Sequence, residues 1–220
     1  MPSSMTHLLC GKLLLPDAPA PFFVGCISPD CIDVREFKDR THFRDLPESE
    51  RLGALRDMAR RLDLSDPYQY GAIYHLFADY TWDTGPQAAH RAWYAGNDWF
   101  RDYRFAINEC GREIYARYPW GEALWADMAA LDEASYSAIP EYPAEAIKGF
   151  ILRGRKRSAE PITKPSDFFT PDLVDAYCAE TAERFREYEK TIWKPYISPT
   201  LTALCSFRTR RCPRSRDPRS

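Results

Sequence analysis

The stretch "YHLFAD", residues 74 to 79, is the strongest constraint on how this chain can fold. It sets His75 and Asp79 four positions apart among Tyr, Leu, Phe and Ala. In a helix, positions i and i+4 stand one above the other, so both polar side chains share a face. A dry core rejects an imidazole and a carboxylate unless each finds a strong partner. The fold must therefore bring another side chain, a water or a metal ion to this face. Taken alone the pair has a plainer explanation, a core histidine beside a surface aspartate, and the other segments have to discriminate.

Those segments predict an all-α chain. Residues 4–15 read as a short helix stopped by Pro16, and residues 16–33 hold four prolines, too many for a helix. The second stretch reads as a loop pinned to the core by Phe22, Phe23 and Val24. "SERLGALRDMARRLDL" repeats Leu52, Leu55, Met58, Ala59 and Leu62 at three-and-four spacing, an amphipathic helix. Asp66 is placed to cap the helix that carries His75, Pro67 suits its first turn, and Gly85-Pro86 ends it. A helical pattern then runs from about Gln87 toward Tyr118, with a bend expected near Gly96 or Gly111. "GEALWADMAALDEAS" is another helix. Residues 137–169, rich in Pro, Gly and charge, read as a long irregular connection containing the basic cluster Arg153, Arg155, Lys156 and Arg157. Thr170 and Pro171 start a last long helix. Neither strand alternation nor an internal repeat appears, so the expectation is one helical domain over residues 1–205.

The net charge of -2 divides unevenly. Residues 206–220 carry six Arg and one Asp, leaving the body at -7. An acidic body argues against a sequence-specific nucleic-acid binder, whose footprint is a basic face on the folded part. The basic, apolar-poor tail 206–220 reads as disordered. Seven widely spread cysteines without a C-x-x-C pair fit reduced thiols in a cytoplasmic protein. No signal peptide is evident, and no stretch approaches the roughly 18 apolar residues of a transmembrane segment.

The chain has four histidines: His7 in "THLLCG", His42 in "RTHF", His75 in "YHLFAD" and His90 in "PQAAHRAWY". Asp30 lies in "SPD" on the proline-rich segment. This ordered set, over roughly residues 5–83, resembles the zinc-dependent phospholipase C family. Small bacterial members with a phospholipase C/D-type domain are the nearest in appearance; the family's relatives include single-strand-specific zinc nucleases. The resemblance implies a multi-helix bundle in which Asp30, His42, His75 and Asp79 surround one zinc. His7 would hold a second, with Asp79 bridging, since only a carboxylate has two oxygens to share. It further implies a hydrolase in which Asp30 orients a water against a phosphodiester or phosphomonoester.

Phe22, Phe23, Tyr74 and Trp82 are the expected apolar wall for a small phosphoester or phospholipid substrate. Asp33, Asp39 and Arg44 are candidates for orienting the imidazoles. Two departures limit the resemblance. Secreted relatives ligate zinc with a mature N-terminal Trp, whereas this chain starts with Met, and they carry an H-x-x-x-E pair for a third zinc. Here Tyr94 follows His90 at that spacing. One or two ions are expected, not three, and His90 is read as a surface histidine without metal. Helical phosphohydrolases of the H…HD…D class are excluded, because no His-Asp dipeptide occurs. The alternative is a non-catalytic helical protein keeping a structural or vestigial zinc site.

Overall fold

In a computed structural model, which describes residues 1–193, the chain is an all-α bundle without strands among those residues. Its helices are α1 (Ser4–Leu14), α2 (Ala20–Gly25), α3 (Arg35–Thr41), α4 (Glu48–Ala59), α5 (Pro67–Thr84), α6 (Pro86–Trp93), α7 (Trp99–Arg117), α8 (Trp120–Ala129), α9 (Ala144–Ser158) and α10 (Pro171–Ile192). Two 3-10 turns, Ser28–Cys31 and Glu133–Tyr136, punctuate them. The expected basic tail lies outside the described residues. No described helix is long and apolar enough to cross a membrane.

α1 and α5 form the centre. α1 is buried along most of its length and packs on α5, α7 and α10. Ser3 caps it, its Oγ accepting from the Thr6 N–H at 3.1 Å. α5 begins as its sequence predicts. Asp66 accepts from the Gln69 N–H at 2.9 Å, with Pro67 in the first turn. Such a cap is worth about 1 kcal/mol. The helix is apolar nearly all round, which is the pattern of a helix buried on every side. Thr170 likewise caps α10 through the Leu173 N–H.

α2 packs tightly across α5, and two glycines set the distance. A Cβ built on Gly25 would stand 2.1 Å from the Tyr68 carbonyl oxygen, and one on Gly71 equally close to that of Phe22. Backbone thus meets backbone, a contact open only to residues without a side chain. This crossing carries the Ser28–Cys31 turn up to α5.

Three expectations need correction. Residues 16–33 are not simply a loop: α2 forms there because Pro19 and Pro21 fall at its cap and first turn, where no N–H is missed. The pattern from Gln87 to Tyr118 is two helices, α6 and α7, separated near Gly96, with Asp98 capping α7 through the Arg101 N–H. Gly111 makes no bend; it sits inside α7, where a Cβ would meet Ser3 Oγ at 2.8 Å. Within residues 137–169, α9 replaces the expected irregular connection. Ile147 and Ile151, one helical turn apart, are buried, and Gly154 leaves room for the Trp125 ring. The basic cluster therefore rides on a helix, and that helix packs on the Ser28–Cys31 turn.

Candidate metal centre

Four elements bring five polar side chains together. α1 contributes His7, the Ser28–Cys31 turn Asp30, the end of α3 His42, and α5 both His75 and Asp79. All five are buried. Donor atoms of Asp30, His42, His75 and Asp79 lie within 4.8 Å of one another.

His42 is aimed by the way α3 stops. His42 is the C-cap, and Phe43 follows with φ 57°, the left-handed region usually left to glycine. The Arg44 N–H reaches back to the Asp39 carbonyl at 2.8 Å and the Phe43 N–H to that of Arg40 at 3.1 Å. This paired closure is a Schellman motif. It reverses the chain so that His42 points inward and Arg44 follows it toward α5.

The protons on the two imidazoles are set by their backbone partners. His42 Nδ1 is 2.8 Å from the Lys38 carbonyl oxygen, and His75 Nδ1 is 2.7 Å from that of Cys26. A carbonyl only accepts, so each Nδ1 carries the hydrogen and each Nε2 turns a lone pair inward. These two Nε2 atoms are 3.3 Å apart. No proton lies between them in that tautomer. Burial, with His7 and His42 alongside, pushes the His75 pKa down to about 3, so the ring is neutral at ordinary pH.

Carboxylate oxygens complete the ring of acceptors. His42 Nε2 is 3.5 Å from Asp30 Oδ1 and 3.4 Å from Asp79 Oδ2. His75 Nε2 is 3.9 Å from the first and 3.8 Å from the second. Ligands at about 2.0–2.2 Å from a tetrahedral ion stand roughly 3.3–3.6 Å from one another. The spacing is that of ligands around one small cation, slightly open on the His75 side. His7 stacks on His75 with ring centroids 3.9 Å apart, its Nε2 3.4 Å from the other Asp79 oxygen, Oδ1. Both His7 nitrogens and Asp79 Oδ1 lack a hydrogen-bond partner although buried. Unpartnered buried polar atoms of this kind call for an explanation, and an ion supplies one. The chemistry of the set fits: imidazole nitrogen and carboxylate oxygen suit divalent first-row metals. This buried Asp and His cluster can hold a metal ion.

Two cations already attend the carboxylates. Lys38 Nζ forms an ion pair with Asp30 Oδ1 at 2.7 Å, and Arg44 Nη2 donates to Asp79 Oδ2 at 2.8 Å. Burial alone would raise both carboxyl pKa values. Lys38 holds Asp30 well below the usual range instead, and Arg44 does so for Asp79. Asp83, one turn beyond Asp79, accepts from Arg44 Nε at 2.8 Å and from Arg51 Nη2 at 2.9 Å. The Met1 amino group, its pKa lowered by burial, donates to Gln87 and Tyr103 and lies 3.7 Å from Asp83 Oδ1. It is engaged beside the donors, not among them.

The remaining expected site residues are elsewhere. Phe22, Phe23 and Trp82 are fully buried core, a correction to the apolar wall expected there. Trp82 donates to the Tyr103 hydroxyl and stacks on Phe169, while Tyr74 donates to the Cys10 carbonyl. Large aromatic side chains in a helical bundle gain more from the core than from a wet cleft. Asp33 and Asp39 do not orient the imidazoles; backbone carbonyls do. Arg44 is a partner of the site, but through carboxylates. His90 is not at the surface: it is enclosed by rings of α6, α7 and Phe168–Phe169. Lys38 and Arg51 escaped the sequence reading, as did Asp83 as a partner of Arg44. For Asp83 a signal was available, since it continues the i+4 row of His75 and Asp79.

Family models, curated proteins and solved structures provide no match to the chain. The functional reading therefore rests on this donor geometry.

Proposed function

We propose that this protein is a zinc-dependent phosphoester hydrolase of the phospholipase C type. The observation that supports it is the convergence of Asp30, His42, His75 and Asp79, with donor atoms within 4.8 Å of one another and Asp30 bordering a pocket open to solvent. Zinc is the metal this donor set suits best, held by those four side chains, with His7 and the second Asp79 oxygen as donors for a further ion. When bound, zinc activates water at neutral pH and offsets the charge that gathers on a phosphoryl group.

The chain's own residues have defined tasks in that reading. The Cys26 and Lys38 carbonyls hold the imidazoles in the metal-binding tautomer. Arg44 keeps Asp79 ionised and fixes its orientation, a positioning role. By the resemblance, Asp30 orients the attacking water and takes its proton, and Asp30 also borders the pocket. Lys38, 2.7 Å from Asp30, holds that carboxylate in place.

A second reading, a helical scaffold with a structural or vestigial site, has a specific observation in its favour. Lys38 and Arg44 already balance the two carboxylates, and four protein donors close a tetrahedral ion as structural sites do. One experiment separates the two. Elemental analysis of purified wild-type protein should find at least about one zinc per chain, with marked loss in His42→Ala and His75→Ala. Chelator-sensitive turnover of a chromogenic phosphoester is expected alongside. Zinc without turnover favours the scaffold, and folded wild-type protein that takes up no metal removes both.

A further inference from the structure

The pocket that reaches Asp30 encloses about 170 Å³ and is bordered by Lys38, Arg104, Arg153 and Arg157. α9 supplies the last two, one helical turn apart, because it packs on the turn that bears Asp30. α7 supplies Arg104. Several arginines elsewhere on the surface are paired: Arg101 with Asp102, Arg117 with Asp172 and Asp175, Arg155 with Glu122. Arg112, also at this pocket, is held by Glu109 and Glu160. Arg104 and Arg157 make no ion pair among the described residues, and Arg153 has only the exposed Asp33 at 4.0 Å. Unbalanced positive charge thus gathers on one side of the donor set. Like charges held together without a counter-charge destabilise a surface, which makes such a cluster a place for an anion.

Charge at the donors points the same way. Asp30 and Asp79 are balanced by Lys38 and Arg44, and Asp83 by Arg51. A divalent ion added there brings two positive charges that no remaining carboxylate of the cluster matches. In a buried site that excess attracts negative charge strongly. A phosphodiester brings one negative charge; the terminal phosphate of a monoester brings nearly two at neutral pH. Size agrees, since the pocket is below the roughly 300 Å³ of ordinary small-molecule sites. Its apolar lining is confined to Met1, Pro2, Met5 and Phe150, without a trough for an acyl chain.

We infer that this arginine-rimmed pocket is an anion subsite for a compact phosphate dianion, the terminal phosphate of a phosphomonoester, held by Arg104, Arg153 and Arg157. The inference rests on the metal-centre reading for the excess charge, but the arginine subsite stands on its own residues. The guanidinium groups present planar paired donors that match phosphate oxygens, and three of them confer a preference for two charges over one.

The test is calorimetric titration of zinc-loaded protein with inorganic phosphate and, separately, with dimethyl phosphate. Wild type should bind phosphate at least about tenfold more tightly than dimethyl phosphate, and Arg153→Gln/Arg157→Gln should lose about tenfold or more in phosphate affinity. Zinc content, measured on the same samples, should not change in that variant. Both arginines are exposed at the end of α9, so the fold does not depend on them; Arg104→Gln is a separate check on α7. Equal phosphate binding by wild type and the double variant overturns the subsite, as does equal affinity for the two probes. Wild-type protein without zinc overturns the metal centre instead. The subsite is then judged on metal-free protein, where loss of phosphate binding in the double variant supports it and unchanged binding overturns it.

Discussion

Two buried histidine neighbourhoods in this bundle show what separates a candidate metal centre from a packed imidazole. His90 on α6 is 3 % exposed, as sheltered as His42. Its surroundings are rings: Trp93, Tyr94, Trp99, Tyr103, Phe168 and Phe169 all stand against it. The Trp99 indole N–H donates to His90 Nδ1 at 3.1 Å, which gives that nitrogen the partner a neutral imidazole needs. Burial lowers the His90 pKa and keeps it neutral. No carboxylate pairs with it among the described residues. At His75 the outer nitrogen is equally satisfied, but the inner one faces His42, Asp30 and Asp79, all acceptors. Burial is common to both. What differs is whether the last lone pair meets a donor or other lone pairs.

The largest expected difference between the two neighbourhoods is in metal content. Asp79→Asn should abolish zinc uptake and cost about 1–3 kcal/mol, because half-buried Arg44 keeps Asp83 but loses its second carboxylate. His90→Phe should leave zinc content unchanged. Elemental analysis with denaturant melts checks both; a zinc loss in the His90 variant breaks the comparison.

Acid should weaken the metal-free fold through His75. Its folded pKa of about 3 lies below the ordinary 6.5, so between those values the unfolded chain takes a proton that the folded chain refuses. Stability is full above pH about 6.5 and falls toward pH 3 by an amount on the order of a few kcal/mol. Asp30 and Asp79, also depressed, add a further loss below the ordinary carboxylate range. Urea melts across this range should show the slope, and His75→Gln should flatten its upper part. Zinc should be released in the same window, since protons compete for its ligands.

A smaller effect is expected from Gly71→Ala. The added methyl meets the Phe22 carbonyl and drives α2 from α5, at about 1–3 kcal/mol. Because α2 delivers the Cys26 carbonyl to His75, zinc affinity should fall with it, while the rings around His90 keep their near-ultraviolet dichroism. Smallest is Trp99→Phe, which removes the donor to His90. It should cost about 0.5–1.5 kcal/mol by thermal melting and leave zinc uptake unaltered.

Part of this was legible in the sequence for local reasons. Caps at Asp66 and Thr170, the Pro67 start and the His75/Asp79 pair depend on neighbours within one turn, where spacing is geometry. His7, Asp30 and His42 were named as companions through a resemblance, and the bundle does bring them to α5. The misread parts depend on distant partners. α9 forms because Ile147 and Ile151 find a core and Gly154 finds Trp125, which no local pattern contains. Phe22, Phe23 and Trp82 were placed at the wall because aromatic type does not distinguish core from cleft. Only packing does.

The sequence by itself determined that the chain is helical and that one helix carries an imidazole and a carboxylate on a single face. Both follow from side-chain period and cap chemistry, which act over a few residues. Tertiary structure alone decided that the lone pairs of His42 and His75 point at each other, that Lys38 and Arg44 balance the carboxylates, and that α9 arginines line the same pocket as Asp30. Those are relations across tens of residues, set by how closely α2 crosses α5 and how α3 ends. Charge and tautomer at the site are consequences of that packing.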